Sequence, residues 1–120
     1  MEEQKVIFHI DELNKWNLLL KNVSNLVDIV DINKFIIEVL ANSEAVKAYA
    51  LDRESEVTIK DTMEKLKYKG VKFVACNNAL NVYDIKKEEL IHFVDTVPAG
   101  VLELVVKQGE GYSYIKLNDY

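Results

Sequence analysis

The sequence is poor in the residues that most often carry chemistry or covalent bracing. It holds one cysteine, Cys76, one proline, Pro98, and two histidines, His9 and His92. A lone thiol excludes an internal disulfide, a CxxC redox pair and a cysteine-rich zinc site. Two histidines are too few for a His-rich metal centre, and no metal or organic cofactor is expected. Four glycines and one proline leave no flexible linker, and no repeat stands out, so the 120 residues read as one domain, 1–120. No apolar run approaches the ~20 residues of a membrane span. Met1–Lys5 is polar and acidic, without the basic-then-apolar pattern of a secretory leader. Positive charge is also short: 15 Lys and Arg against 20 Asp and Glu give a net charge of −5. That balance argues against general nucleic-acid binding and against docking on an anionic membrane. GxGxxG, P-loop, HExxH and GxSxG patterns are missing. The expectation is a reduced, cytoplasmic protein with one thiol.

What the chain does have is a regular alternation of apolar runs and amphipathic stretches. Lys5–Ile10 reads as a buried strand, Asp11 as the N-cap of a long helix reaching Val30, and Lys34–Leu40 as a second strand. In that helix Leu13, Trp16, Leu20, Val23, Val27 and Val30 recur at steps of three and four. Ala41-Asn42-Ser43 breaks the second strand, and Glu44–Leu51 is a short helix or turn. Asp52–Glu56 is a charged, solvated stretch before a helix over Val57–Lys69, which Gly70 closes in a left-handed cap. Val71–Cys76 is a third strand, followed by a short helical stretch to Tyr83. His92–Val97 reads as a fourth strand, Pro98 as the first turn of a helix ending at Gly109, and Tyr112–Leu117 as the last strand. Strands alternating with helices imply an α/β fold: a single-domain, three-layer sandwich with a mainly parallel five-stranded sheet and helices on both faces.

Two features point toward function. Five of the six residues Val101–Val106 are apolar, so that helix is expected to be covered on more than one side, which a subunit interface would explain. Cys76 closes a strand at the carboxyl edge of the sheet, where open parallel sheets bind ligands. Asn77 and Asn78 open the following helix, whose N–H groups and dipole favour negative charge on sulfur. His9 ends the first strand at the same edge, within possible reach of Cys76 as a base or hydrogen-bond partner; its plainer reading is a half-buried strand histidine. Tyr112 and Tyr114 share a strand face and read as packing, and Tyr120 completes an aromatic set. His92 is given no role.

Three stretches resemble the DsrE/DsrF-like (YchN-like) family of sulfur-relay proteins. They are VIFHIDELNKWNLLL from Val6 to Leu20, continuing to Leu26; GVKFVACNNAL from Gly70 to Leu80; and VPAGVLELVVKQGEGYSYIKL from Val97 to Leu117. Val39–Tyr49 is similar to the family's second strand and loop. The resemblance implies a five-stranded α/β sandwich assembling as a homotrimer or hexamer, and cytoplasmic handling of sulfane sulfur. It maps Cys76 onto the cysteine that carries a persulfide, with TusA-type carriers or other sulfur-transfer proteins as partners. Family members often read His-Gly or Asn-Gly after the second strand, where this chain has Asn42-Ser43. Two readings follow: a sulfurtransferase or sulfur carrier using Cys76, or a non-enzymatic oligomeric module that binds a small anionic ligand or a protein partner.

Overall fold

The computed structural model describes residues 3–51 and 57–117. Five strands form one sheet in the order β4-β3-β2-β1-β5, and every neighbouring pair is parallel. In chain order these are β1 (Gln4–Ile10), α1 (Trp16–Ile29), β2 (Phe35–Ala41), α2 (Val57–Tyr68), β3 (Lys72–Cys76), α3 (Asn77–Val82), β4 (Asp95–Val97), α4 (Gly100–Gly109) and β5 (Ser113–Lys116). A 3-10 segment, Ser43–Tyr49, follows β2. Among the described residues, no helix is long and apolar enough to cross a membrane.

The α/β sandwich expected from the alternating pattern is what forms, with the two faces covered unequally. On one face Val6, Phe8, Ile10, Ile37, Val39, Phe73 and Ala75 pack against α1, α2 and the 3-10 segment, through Trp16, Leu20, Val23, Met63, Leu66 and Tyr49. On the other face Ile7, Leu40 and Val74 meet Leu104 of α4, with Val97 and Tyr112 at the margin. Successive strand residues point to opposite faces, so strands covered on both sides read as unbroken apolar runs.

Several boundaries differ from the sequence reading. Asp11 does not cap a helix: it accepts from Lys116 at 2.8 Å, while Leu13–Lys15 form a 3-10 turn and the α-helix starts at Trp16. The fourth strand is only Asp95–Val97. His92 and Phe93 lie in a turn, because Ile91 N–H donates to Tyr49 O (2.9 Å) and Leu51 N–H to Glu89 O (2.7 Å), pinning the preceding segment elsewhere. Pro98 precedes the last helix instead of opening it, with Ala99 as N-cap and Gly100 as the first helical residue. Gly109 is the last residue of α4, and the left-handed position is Gly111, at φ +94°. There Tyr112 N–H donates to Lys107 O and Gly111 N–H to Gln108 O, a paired closure that Gly70 at φ +104° repeats at the end of α2, as expected there. Asp52–Glu56 and Tyr120 lie outside the described residues.

Candidate functional site

Parallel register brings the carboxyl ends of the strands to one edge. Ala41 pairs with Ala75, so Asn42, just past β2, stands beside Cys76 at the end of β3. His9 pairs with Lys116 of β5 and with Leu40 of β2. The edge therefore gathers His9, Asn42, Cys76 and the first turn of α4, from segments far apart in the chain.

Cys76 is 6% exposed and is itself the N-cap residue of α3, whose first two residues are Asn77 and Asn78. A different helix supplies the contact to the sulfur. Gly100 N–H, the first of α4, donates to Cys76 Sγ at 3.3 Å. N–H groups in a first helical turn lack carbonyl partners within their own helix, so this donation gives the Gly100 N–H a partner while placing the positive end of α4 against sulfur. The approach is close. A Cβ on Gly100 would stand 3.4 Å from Asn42 Cβ and 3.5 Å from Cys76 Cβ. Beside the sulfur, a cavity of about 260 Å³ is lined by Asn42, Ser43, Cys76, Asn78, Ala79, Val82 and Tyr83. Asn78 thus shares the space with Cys76. Asn77 does not: its side chain lines a separate depression with Asn81, Asp84 and Lys86.

His9 is buried, and its ring is held from both sides. Nε2 lies 3.0 Å from Asn42 Oδ1 and Nδ1 lies 2.7 Å from Tyr114 Oη. An amide oxygen can only accept, so Nε2–H is the donor and the Tyr114 hydroxyl donates to Nδ1. Burial lowers the pKa of His9, against an upward pull from the Asn42 hydrogen bond, and the neutral ring fits both partners. His9 thus reaches the Cys76 cavity through Asn42. Tyr114 is a hydrogen-bonding member of this group, not mere packing, whereas Tyr112 does pack, against the cluster of Ile7, Leu40 and Val74 and under the Lys5 and Lys107 ammonium groups. His92, outside the group, meets Phe93 edge-on.

Ser43 adjoins Asn42 with φ +49°, a left-handed conformation that L-residues other than Asn and Asp seldom adopt. This is a turn that glycine favours, and Ser43 lines the cavity wall. Among the described residues no cluster of three or more His, Cys, Asp or Glu side chains is placed to hold a metal ion.

The profile of the DsrE/DsrF-like family matches residues 19–117. The chain belongs to the DsrE/DsrF-like family. That family is associated with sulfur relay. Among solved structures, the chain is similar to MTH1491, a protein of unknown function from Methanobacterium thermoautotrophicum, at 33% identity, covering 96% of this chain and 100% of that one with a TM-score of 0.84. It shares its fold with the ychN protein from E. coli, at 15% identity, 95% and 99% coverage and a TM-score of 0.70. No functionally curated protein matches the chain.

Signals for Asn42 and Gly100 were weak in the sequence, because nothing in either segment marks it as facing Cys76. Tyr114 read as packing because its hydrogen-bond partner, His9, stands 105 residues away in the chain.

Proposed function

We propose that the protein is a sulfur-relay protein in which Cys76 accepts sulfane sulfur as a persulfide and passes it on. The observation that carries this reading is the Gly100 N–H donated to Cys76 Sγ at the mouth of a cavity, within a fold of the DsrE/DsrF-like family. A donor at the head of a ten-residue helix stabilises negative charge on sulfur, and the thiolate is the attacking species in sulfur exchange. In the accepting step the Cys76 thiolate attacks the outer sulfur of a donor hydropersulfide, R–S–SH. The Sγ–S bond forms, the donor's S–S bond breaks, and its electron pair leaves with the donor thiolate. That thiolate takes the proton from the transferred sulfur, leaving Cys76–S–S⁻ and R–SH. No oxidant or reductant is consumed, so no cofactor is required. With one thiol per chain, donor and acceptor are separate molecules, and a TusA-type carrier or another sulfur-transfer protein in a reducing cytoplasm fits the acceptor role.

Intact-mass spectrometry after incubation with glutathione persulfide tests this. One added sulfur atom is expected on the wild type, removed by dithiothreitol and missing in Cys76→Ser. A wild type that stays unmodified at every donor concentration overturns it.

The same proposal includes a homo-oligomer, a trimer or hexamer. Val101, Leu102, Val105 and Val106 form two i,i+4 columns on the outer side of α4 and are 70%, 54%, 62% and 41% exposed. An apolar stripe of this kind is the usual mark of an interaction surface. Sedimentation velocity is expected to show a multimer that Val105→Glu reduces to smaller species with an unchanged far-UV spectrum. A wild-type monomer at tens of micromolar rejects the assembly. The alternative of a non-enzymatic module binding a small anion or a protein partner draws on the same stripe, and Cys76→Ser would leave its binding intact.

A further inference from the structure

We propose that His9, backed by Tyr114, is a positioning residue that locks the Asn42 side chain with its amide N–H2 toward Cys76, so that Asn42 Nδ2 and Gly100 N–H form a two-donor pocket for the terminal sulfur of the Cys76 persulfide. This rests on the sulfur-relay reading and adds to it how the charged sulfur is held.

The geometry runs in one direction. A side-chain amide has one acceptor end and one donor end. His9 Nε2–H occupies the acceptor end, Asn42 Oδ1, at 3.0 Å. The donor end must then face away from His9. Asn42 Nδ2 lies 3.6 Å from the point where a Gly100 Cβ would stand, and that same point is 3.5 Å from Cys76 Cβ. The amide nitrogen therefore lies close to the head of α4, and Asn42 lines the same cavity as Cys76. Gly100 N–H already points at the sulfur from α4.

In the neutral ring His9 donates at Nε2 while its other nitrogen is an acceptor, and the Tyr114 hydroxyl, 2.7 Å from Nδ1 and a better donor than acceptor, favours that tautomer. Removal of the phenol frees Nδ1 to take the proton. Nε2 would then face Asn42 as an acceptor, and the amide would turn its N–H2 toward His9 and its oxygen toward Cys76. An oxygen there repels the persulfide anion that the N–H2 stabilises. Burial, which lowers the pKa of His9, keeps the ring neutral and the tautomer meaningful. Lys116 and Asp11, the charged groups beside the ring, are tied to each other at 2.8 Å.

The exchange Cys76–S⁻ + G–S–SH ⇌ Cys76–S–S⁻ + G–SH, with glutathione as G, conserves atoms, charge and oxidation level. A hydrogen bond to a charged group is worth about 1.5–3 kcal/mol, so loss of one donor is expected to shift this equilibrium roughly 10- to 100-fold toward free Cys76. The experiment equilibrates wild type, Asn42→Asp, His9→Phe, His9→Gln and Tyr114→Phe with fixed ratios of glutathione persulfide to glutathione, and reads the loaded fraction by intact mass. Asn42→Asp and His9→Phe are expected to lose the full factor. His9→Gln, whose amide N–H2 replaces Nε2–H, is expected to recover most of it. Tyr114→Phe is expected to lose part in the wild type and nothing further in His9→Gln, a pattern that a general loss of stability does not give. Tyr114 is 41% exposed and its replacement is near-isosteric, so that variant reports even if a His9 variant misfolds. Equal loading of wild type, Asn42→Asp and Tyr114→Phe overturns this inference and leaves the relay reading standing. A wild type that does not load overturns both.

Discussion

Glu38→Gln is expected to make the protein more stable at alkaline pH, by about 2–4 kcal/mol above pH 8, and by little near pH 5. Glu38 sits within the apolar run of β2, is 1% exposed, and has Oε2 without a hydrogen-bond partner among the described residues. Burial, then a hydrogen bond to Glu103 of α4 and the charge of Glu103, push its pKa up to about 8; Lys107 of α4 and Lys72 of β3 pull the other way without prevailing. The sign follows from proton linkage. The folded state holds this proton more tightly than the unfolded chain, whose glutamate titrates near ~4.3. The stability Glu38 contributes is therefore complete below the unfolded value and is lost as the pH rises through about 8. A neutral amide cannot ionise, so the variant lacks that decline. A shift of this size would be worth about 5 kcal/mol at ~1.4 kcal/mol per pH unit, and water penetration and relaxation reduce it to the range given. Urea unfolding at pH 5.5, 7 and 9 measures it. Parallel pH profiles for the two proteins would show that Glu38 ionises freely in the fold.

Trp16→Ala is expected to cost about 3–5 kcal/mol, the usual range for a large aromatic removed from a core. Trp16 is fully buried at the start of α1, and its indole N–H donates to Ala45 O at 2.9 Å. Its ring meets Tyr49 edge-on at 5.3 Å, and Tyr49 in turn meets Phe73 of β3 at 6.4 Å. Tyr49 Oη donates to Val74 O at 3.1 Å, which ties the 3-10 segment to the sheet. Truncation leaves a cavity and removes the indole donor from Ala45 O, within the segment that begins one residue after Asn42. Chemical denaturation should show the drop in stability, and Trp16→Phe, which keeps part of the volume and loses the N–H, should fall between the two. A change below about 1 kcal/mol would mean that the core repacks around the gap.

Much of the architecture was readable because doubly covered strands advertise themselves. KVIFHI, KFIIEVL and VKFVAC each became a strand, and Gly70 closed its helix where its missing Cβ allowed. Strand order was not readable, since periodicity says which face is buried but not which strand lies alongside. The shortened β4 went unseen because backbone pairing of Ile91 with Tyr49, 42 residues back, overrides the alternation in HFVDTV. At the candidate site, Cys76 and His9 were legible as residues with chemistry at strand ends. Their intermediary, Asn42, and the donor, Gly100, were not, because their roles come from register and from the docking of α4. Glu38 did carry a signal, a lone carboxylate in the run FIIEVL, and a charge in a strand buried on both faces is worth testing for a shifted titration.

The contacts joining β1 and its exit to the chain's last strand and the turn before it are of unusually long reach. His9 to Tyr114, Asp11 to Lys116 and Lys5 to Glu110 each span 105 residues. Closing so large a loop costs more chain entropy than the local pairings, and such non-local contacts slow folding. The hydrogen-bonded setting of Cys76 is assembled from the first strand, the exit of the second, the third, the last helix and the last strand, beside a cavity lined by the exit of β2, the end of β3 and α3. Its hydrogen bonds thus sample nearly the full contact order of the fold. During synthesis, Cys76 emerges well before Gly100 and Tyr114, and for that interval it is a thiol without its setting. Persulfide formation at Cys76 should therefore report that α4 has docked, since only then does Gly100 N–H reach the sulfur.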